Sequence, residues 1–194
     1  MTPTVAARSD TGGTVASGAV RTLVLGGARS GKSAHAEGLL WPGPVCYVAP
    51  ATRDLDDPDW AARIAAHRER RPRHWQTVEY LDLVQLLGES DDKVPVLVDD
   101  LGTWLTAEPD AARAWDAPRG TIAGRCTGLV QAVATSAERL VLVSPEVGMG
   151  VIPATTSGRL FRDEIGALNA ALAAECDEVL LVVAGIPLKL KGPK

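Results

Sequence analysis

The chain has 194 residues, enough for one α/β domain with a sizeable core. Hydrophobic residues make up 46% and charged residues 23%, as in soluble globular proteins, and a net charge of −4 excludes a global pull toward nucleic acid or an anionic membrane. The longest apolar run, 179–188, is about half a membrane span and contains Gly185 and Pro187, so no membrane span is expected.

Residues 1–20 are rich in Thr, Ser, Gly and Ala and contain no aromatic residue. They read as a disordered arm, and 21–194 as a single domain. No secretory signal pattern stands near Met1, and Cys46, Cys126 and Cys176 are odd in number and widely spaced. Reduced thiols in a cytoplasmic protein are the expectation.

The first predicted strand, Thr22–Leu25, runs into Gly26-Gly27-Ala28-Arg29-Ser30-Gly31-Lys32-Ser33 and a predicted helix, Lys32–Leu40. The stretch fits G-x-x-x-x-G-K-[ST] at every fixed position, between a strand and a helix as the motif requires. Backbone N–H groups of such a loop converge on phosphate oxygens, and the helix N-terminus adds partial positive charge. Lys32 would reach the β- and γ-phosphates, and the Ser33 hydroxyl would ligate Mg²⁺.

A second strand is predicted over Val45–Ala49. After it, Asp57 and Pro58 form an N-cap and first helical position, opening a helix over Pro58–Arg70. Trp60, Ile64 and His67 fall on one face of that helix. Five arginines and one glutamate lie between Arg63 and Arg73. Such a cluster suits bidentate binding of phosphate oxygens and disfavours protonation of His67, whose neutral imidazole could attack phosphorus. The spacing fits equally a solvated helix end whose charges complement the helix dipole.

A helix over Leu81–Leu87 and a strand over Val94–Asp99 follow. The strand closes on Asp99-Asp100, the carboxylate position that a phosphate-loop enzyme needs for its metal. Asp99 is expected to serve the metal, and Asp100 is left open, with helix capping as the other use of one of the pair. Further on come a helix over Thr121–Ala137, a strand over Arg139–Ser144, a helix over Leu160–Ala174 and a strand over Glu178–Val183. The Gly-rich stretch Pro145-Glu146-Val147-Gly148-Met149-Gly150 follows a strand, on the edge where parallel sheets bind ligands. Arg162 could contact phosphate there or pair with Asp163 at the surface. Nearly all-apolar strands alternating with helices predict a mostly parallel sheet covered on both faces. The alternation of Ile186, Leu188 and Leu190 with Lys189 and Lys191, after a turn at Ala184-Gly185, predicts an antiparallel strand at the C-terminal edge.

The stretches GGARSGKSAHAE, LDDPDWAARIAAHRERRPRHWQTVE, VLVDDLGTWL, SPEVGMGVIP, GRLFRDEIGALN and DEVLLVVAGIPLKLK occur in this order. In them the chain resembles the bifunctional adenosylcobinamide kinase / adenosylcobinamide-phosphate guanylyltransferase family of cobalamin biosynthesis. The resemblance implies a RecA-like P-loop NTPase core and two reactions. ATP or GTP phosphorylates adenosylcobinamide; GTP then guanylylates a histidine, which passes GMP to the cobinamide phosphate and gives adenosylcobinamide-GDP. The family's histidine falls on His67. Its GTP-binding positions fall on Gly26, Gly27, Ala28, Arg29, Ser30, Gly31, Lys32, Ser33, Ala49, Pro50, Ala51, Arg68, Glu69, Arg70, Arg71, Glu79 and Asp99. Lys32 joins His67 as a catalytic residue, Ser33 and Asp99 as the Mg²⁺ residues, and Glu146, Gly148 and Arg162 as candidates for the corrinoid substrate. The resemblance also implies a homotrimer. The family often carries Thr-Ser where Pro50 and Ala51 stand, and Cys where Asp100 stands. Two other uses of the same loop are a small-molecule kinase without a covalent step and a nucleotide-driven switch or assembly ATPase.

Overall fold

The computed structural model describes residues 21–40, 42–50, 71–79, 82–88, 94–112, 115 and 120–192. The expected arm 1–20 and the helix Pro58–Arg70, with His67, Arg68, Glu69 and Arg70, lie outside these residues, as does Ala51. In chain order the elements are β1 (Arg21–Gly26), α1 (Lys32–Leu40), β2 (Cys46–Ala49), β3 (Gln76–Glu79), α2 (Leu83–Gly88), β4 (Val96–Asp99), α3 (Leu101–Ala112), α4 (Ala123–Thr135), β5 (Leu140–Pro145), α5 (Thr156–Glu175), β6 (Glu178–Val183) and β7 (Ile186–Lys191).

The strands form one seven-stranded sheet in the order β3-β2-β4-β5-β1-β6-β7. Every pairing is parallel except β6 with β7. One strand, β5, separates β1 from β4, so the phosphate loop and Asp99 leave the same sheet edge two strands apart. That is the RecA-like arrangement.

The central strands are apolar throughout, yet their side chains sort by the two-residue period. Leu23, Leu25, Val96, Val98, Leu140 and Leu142 face one side, with Leu83 and Leu87 of α2, Trp104 of α3, Leu129 of α4 and Leu168 of α5. Val24, Leu97, Val141, Val143 and Tyr47 face the other, with Ala36 and Leu40 of α1 and with Trp75. Residues two apart on one strand therefore share a face, which fixes where Tyr47 can reach. No helix among the described residues is long and apolar enough to cross a membrane.

Three elements depart from the sequence expectation. β3 (QTVE) has no apolar face to betray it; its pairing with β2, from Cys46↔Gln76 to Ala49↔Glu79, makes it a strand. α3 follows Asp99 where only a segment was expected. Its start is set by Asp100, whose Oδ1 accepts the Thr103 backbone N–H at 2.9 Å and the Thr103 hydroxyl at 3.0 Å. Asp100 is thus the N-cap of α3. Helix α5 begins earlier than expected, because the Thr155 hydroxyl accepts the Gly158 N–H at 3.1 Å and caps it.

The turn expected at Ala184-Gly185 joins β6 to β7. Both residues have positive φ, 51° and 81°, the pattern of a type I′ hairpin turn. Gly185 adopts this at no steric cost, whereas Ala184 carries a Cβ.

Two stability predictions follow from these ends and turns. Replacing Ala184→Asn creates the Asn-Gly pair that this turn type favours. It should raise the urea midpoint, by about 0.5–1 kcal/mol of stability; a lower midpoint would contradict the turn assignment. Asp100→Ala should cost about 1 kcal/mol through loss of the cap, while Asp100→Asn, an equally good cap, should cost little. Equal losses in the two variants, measured by urea titration, would show that charge and not capping is what Asp100 supplies.

Candidate nucleotide-binding site

The C-terminal ends of β1, β2, β4 and β5 open on one edge of the sheet, and most of the expected residues that the structure describes gather there. The loop after β1 is drawn tight by hydrogen bonds from Ser30 N–H to the Gly27 carbonyl (3.3 Å) and from His35 N–H to the Gly31 carbonyl (2.9 Å). Arg29 and Gly31 have φ of 56° and 92°. A side chain at Gly31 would be strained by that φ and would bring its Cβ to 3.3 Å from the Gly185 Cα. The hairpin tip braces the loop directly: Gly185 N–H donates to the Ser30 carbonyl at 2.8 Å. The Lys32 ammonium lies back over the loop, 3.4 Å from the Gly27 carbonyl.

Ser33, in the first turn of α1, donates its hydroxyl to Asp99 Oδ1 at 3.1 Å. The other carboxylate oxygen, Oδ2, accepts the Tyr47 hydroxyl at 2.8 Å. Tyr47 is a buried residue of β2, stacked on Trp75 with ring centroids 6.5 Å apart. The Arg71 guanidinium carbon sits 3.3 Å from the centre of the Tyr47 ring, a close cation–π contact. Arg71 also donates to the Thr77 hydroxyl at 3.3 Å, and its Nε is buried without a hydrogen-bond partner among the described residues. Burial and the Asp99 carboxylate push the Tyr47 hydroxyl well above the usual phenol range, with Arg71 opposing them, so the group is a protonated donor at neutral pH.

Beyond β5 the backbone folds against the phosphate loop, where Glu146 N–H donates to the Gly26 carbonyl at 3.1 Å. The Glu146 side chain accepts the Gly148 N–H at 2.6 Å, and Arg162 of α5 donates to the Gly148 carbonyl. Arg162 Nη1 is buried and has no partner among the described residues. Asn169, also on α5, accepts the Ser144 hydroxyl at 2.6 Å and donates to the Pro145 carbonyl at 3.1 Å, fixing the end of β5.

Gly26 to Ser33 and Asp99 thus come together, Arg71 is joined to Asp99 through Tyr47, and Glu146, Gly148 and Arg162 form a second cluster joined to the loop through Gly26. Ala49 and Glu79 end neighbouring strands as register partners, with Pro50 next to Ala49. Sequence reasoning missed Tyr47, and it placed Asn169 in or near the late helix without giving it a role. A signal existed for the first: a tyrosine in the buried strand Cys46-Tyr-Val-Ala49 needs a partner for its hydroxyl. Ser33 and Asp99 offer hard oxygen donors 3.1 Å apart, the ligand chemistry of a divalent cation that takes its remaining ligands from phosphate and water. No cluster of three or more His, Cys, Asp or Glu side chains able to hold a metal occurs among the described residues.

The family model described as cobinamide kinase / cobinamide phosphate guanyltransferase matches residues 22–190. The chain is 39% identical over 175 residues to the bifunctional adenosylcobalamin biosynthesis protein CobP of Pseudomonas aeruginosa, an alignment covering 89% of this chain and 98% of that protein. It is 40% identical over 181 residues to the bifunctional adenosylcobalamin biosynthesis protein CobU of Salmonella typhimurium, covering 87% and 98%. To the protein of the same description from Escherichia coli it is 40% identical over 183 residues, with the same shares covered. Among solved structures, the P4 protein from bacteriophage phi6 in complex with ADP aligns with 87% of this chain and 52% of its own, at a TM-score of 0.46 and 18% identity. By the extent of the family match and the identity to full-length relatives, this chain belongs to the cobinamide kinase / cobinamide phosphate guanyltransferase family.

Proposed function

We propose that this chain is a transferase of cobalamin biosynthesis that carries out both reactions of its family. The observation that carries the reading is the Ser33–Asp99 hydrogen bond at 3.1 Å, which joins a complete phosphate loop to a strand-end carboxylate in a chain of this family.

In the first reaction the loop from Gly26 to Ser33 holds the triphosphate of ATP or GTP, and the aminopropanol hydroxyl of adenosylcobinamide attacks the γ-phosphorus. The bond from γ-phosphorus to its bridging oxygen breaks, and Lys32 stabilises charge on the transferring group. Ser33 and Asp99 would hold Mg²⁺, which supplies neutralisation of phosphate charge when bound. In the second reaction a ring nitrogen of His67 attacks the α-phosphorus of GTP, pyrophosphate leaves, and a phosphoramidate forms. A phosphate oxygen of the cobinamide phosphate then displaces the histidine and takes GMP.

His67 lies outside the described residues, but it precedes Arg71 by four residues. Four residues span at most about 14 Å of extended chain. Arg71 sits against Tyr47, itself bonded to Asp99, so a histidine near the phosphates is within covalent reach. Arg68, Glu69, Arg70 and Arg71, with Ala49, Pro50, Ala51 and Glu79, are proposed to complete the GTP site. Glu146, Gly148 and Arg162 are proposed to meet the corrinoid substrate. Self-association, as a trimer by family resemblance, is proposed as well, and the exposed apolar residues Val183, Ile186, Leu188 and Leu190 at the sheet edge support it.

The covalent step is tested by incubating the protein with GTP labelled at the α-phosphorus, then denaturing and separating it. Acid-labile, alkali-stable label should remain on the wild type and be absent from His67→Ala. Absence of label from the wild type would leave only the kinase. Hydrolysis of nucleotide with neither labelled protein nor phosphorylated corrinoid would point to a switch or assembly ATPase. Lys32→Ala should abolish phosphorylation of adenosylcobinamide, by at least about a hundred-fold; unchanged turnover would refute the placement of the phosphates.

A further inference from the structure

The two oxygens of the Asp99 carboxylate are held by different elements. The Ser33 hydroxyl, from α1, takes Oδ1, and the Tyr47 hydroxyl, from β2, takes Oδ2. The register explains the second contact. Tyr47 is the partner of Leu97 in the β2–β4 pair, and Asp99 lies two residues further along β4 on the same face. A long side chain reaches this diagonal position. Its ring is 1% exposed, packed with Trp75 and Leu97 below and carrying Arg71 on its face.

Packing alone does not need the hydroxyl, since phenylalanine has the same ring. The hydroxyl is a rigidly held donor aimed at a carboxylate that must present its other oxygen toward the phosphate loop. We propose that Tyr47 is a positioning residue for Asp99. Its O–H fixes the carboxylate so that Oδ1 faces Ser33, and its ring gives Arg71 a seat on the same support. One buried side chain thereby links the strand-end carboxylate to the arginine-rich segment. The inference rests on the reading of Ser33 and Asp99 as the Mg²⁺ residues.

The test is equilibrium binding of α,β-methylene-GTP, which cannot give up GMP, to wild type and Tyr47→Phe, with Mg²⁺ and with EDTA. Wild type should bind more tightly with Mg²⁺. Tyr47→Phe should stay folded, with the small drop in melting temperature expected for one lost charge-assisted hydrogen bond, and keep its affinity in EDTA, while the gain on adding Mg²⁺ falls about ten- to a hundred-fold, the usual effect of losing a group that orients a metal ligand. In an Asp99→Ala background the same substitution should change nothing, because it acts through that carboxylate. If wild type shows no gain with Mg²⁺, the metal reading fails and this inference falls with it. If wild type shows the gain and Tyr47→Phe retains all of it, only this inference fails. An effect of Tyr47→Phe that persists without Asp99, or a Tyr47→Phe protein that does not fold, would also overturn it.

Discussion

The Asp99 carboxylate is the point on which the site depends. It stands where β4 leaves the sheet and receives one hydroxyl from the phosphate-loop helix and one from the neighbouring strand. Charge-assisted bonds of this kind are stronger than neutral ones, and each bond here crosses between elements that are distant in sequence. The carboxylate is therefore held from two sides. Pre-positioned groups need not reorganise when charge develops on a transferring phosphoryl group, and this is how electrostatic catalysis gains its strength.

The rest of the fold can be read as support for that edge. A sheet covered on both faces leaves its polar side chains nowhere to go except the strand ends. Three devices then hold those ends in register. Asn169 ties β5 by bonds to Ser144 and Pro145, Glu146 ties the chain after β5 to Gly26, and the hairpin tip at Gly185 ties the phosphate loop at Ser30. The last device joins an exposed apolar edge to the nucleotide loop through one peptide N–H.

Much of this was legible in the sequence, for reasons that differ by element. The phosphate loop was legible because its glycines, lysine and serine are each demanded by phosphate geometry, and because a strand and a helix flank it. The parallel core was legible because strands buried on both sides must be apolar throughout. The turn at Ala184-Gly185 could be placed from the change to alternating residues after it. Strand β3 was not legible, since an edge strand of Gln, Thr, Val and Glu is recruited by its neighbour's backbone and not by its own side chains. Tyr47 was hidden differently. Its role depends on a diagonal contact between strands far apart in sequence, and no local pattern records a register. The sequence favoured Asp99 for the metal and left Asp100 open, because metal binding and capping both call for a carboxylate at a strand-to-helix junction; the hydrogen bonds to Thr103 make Asp100 the cap.

The cation–π contact bears on how one loop could serve two attacks. A phosphate loop with Lys32 and Ser33 favours chemistry at the γ-phosphorus, whereas guanylyl transfer must occur at the α-phosphorus. Moving the nucleotide and moving the attacking group are the two ways to change the target. Arg71 seated on Tyr47 ties the end of the arginine-rich segment to the same carboxylate that serves the phosphate loop. Among the described residues the buried Nε of that guanidinium has no hydrogen-bond partner. On the proposed two-step reading, one loop after β1 would serve both reactions and the attacking group would be what changes between them.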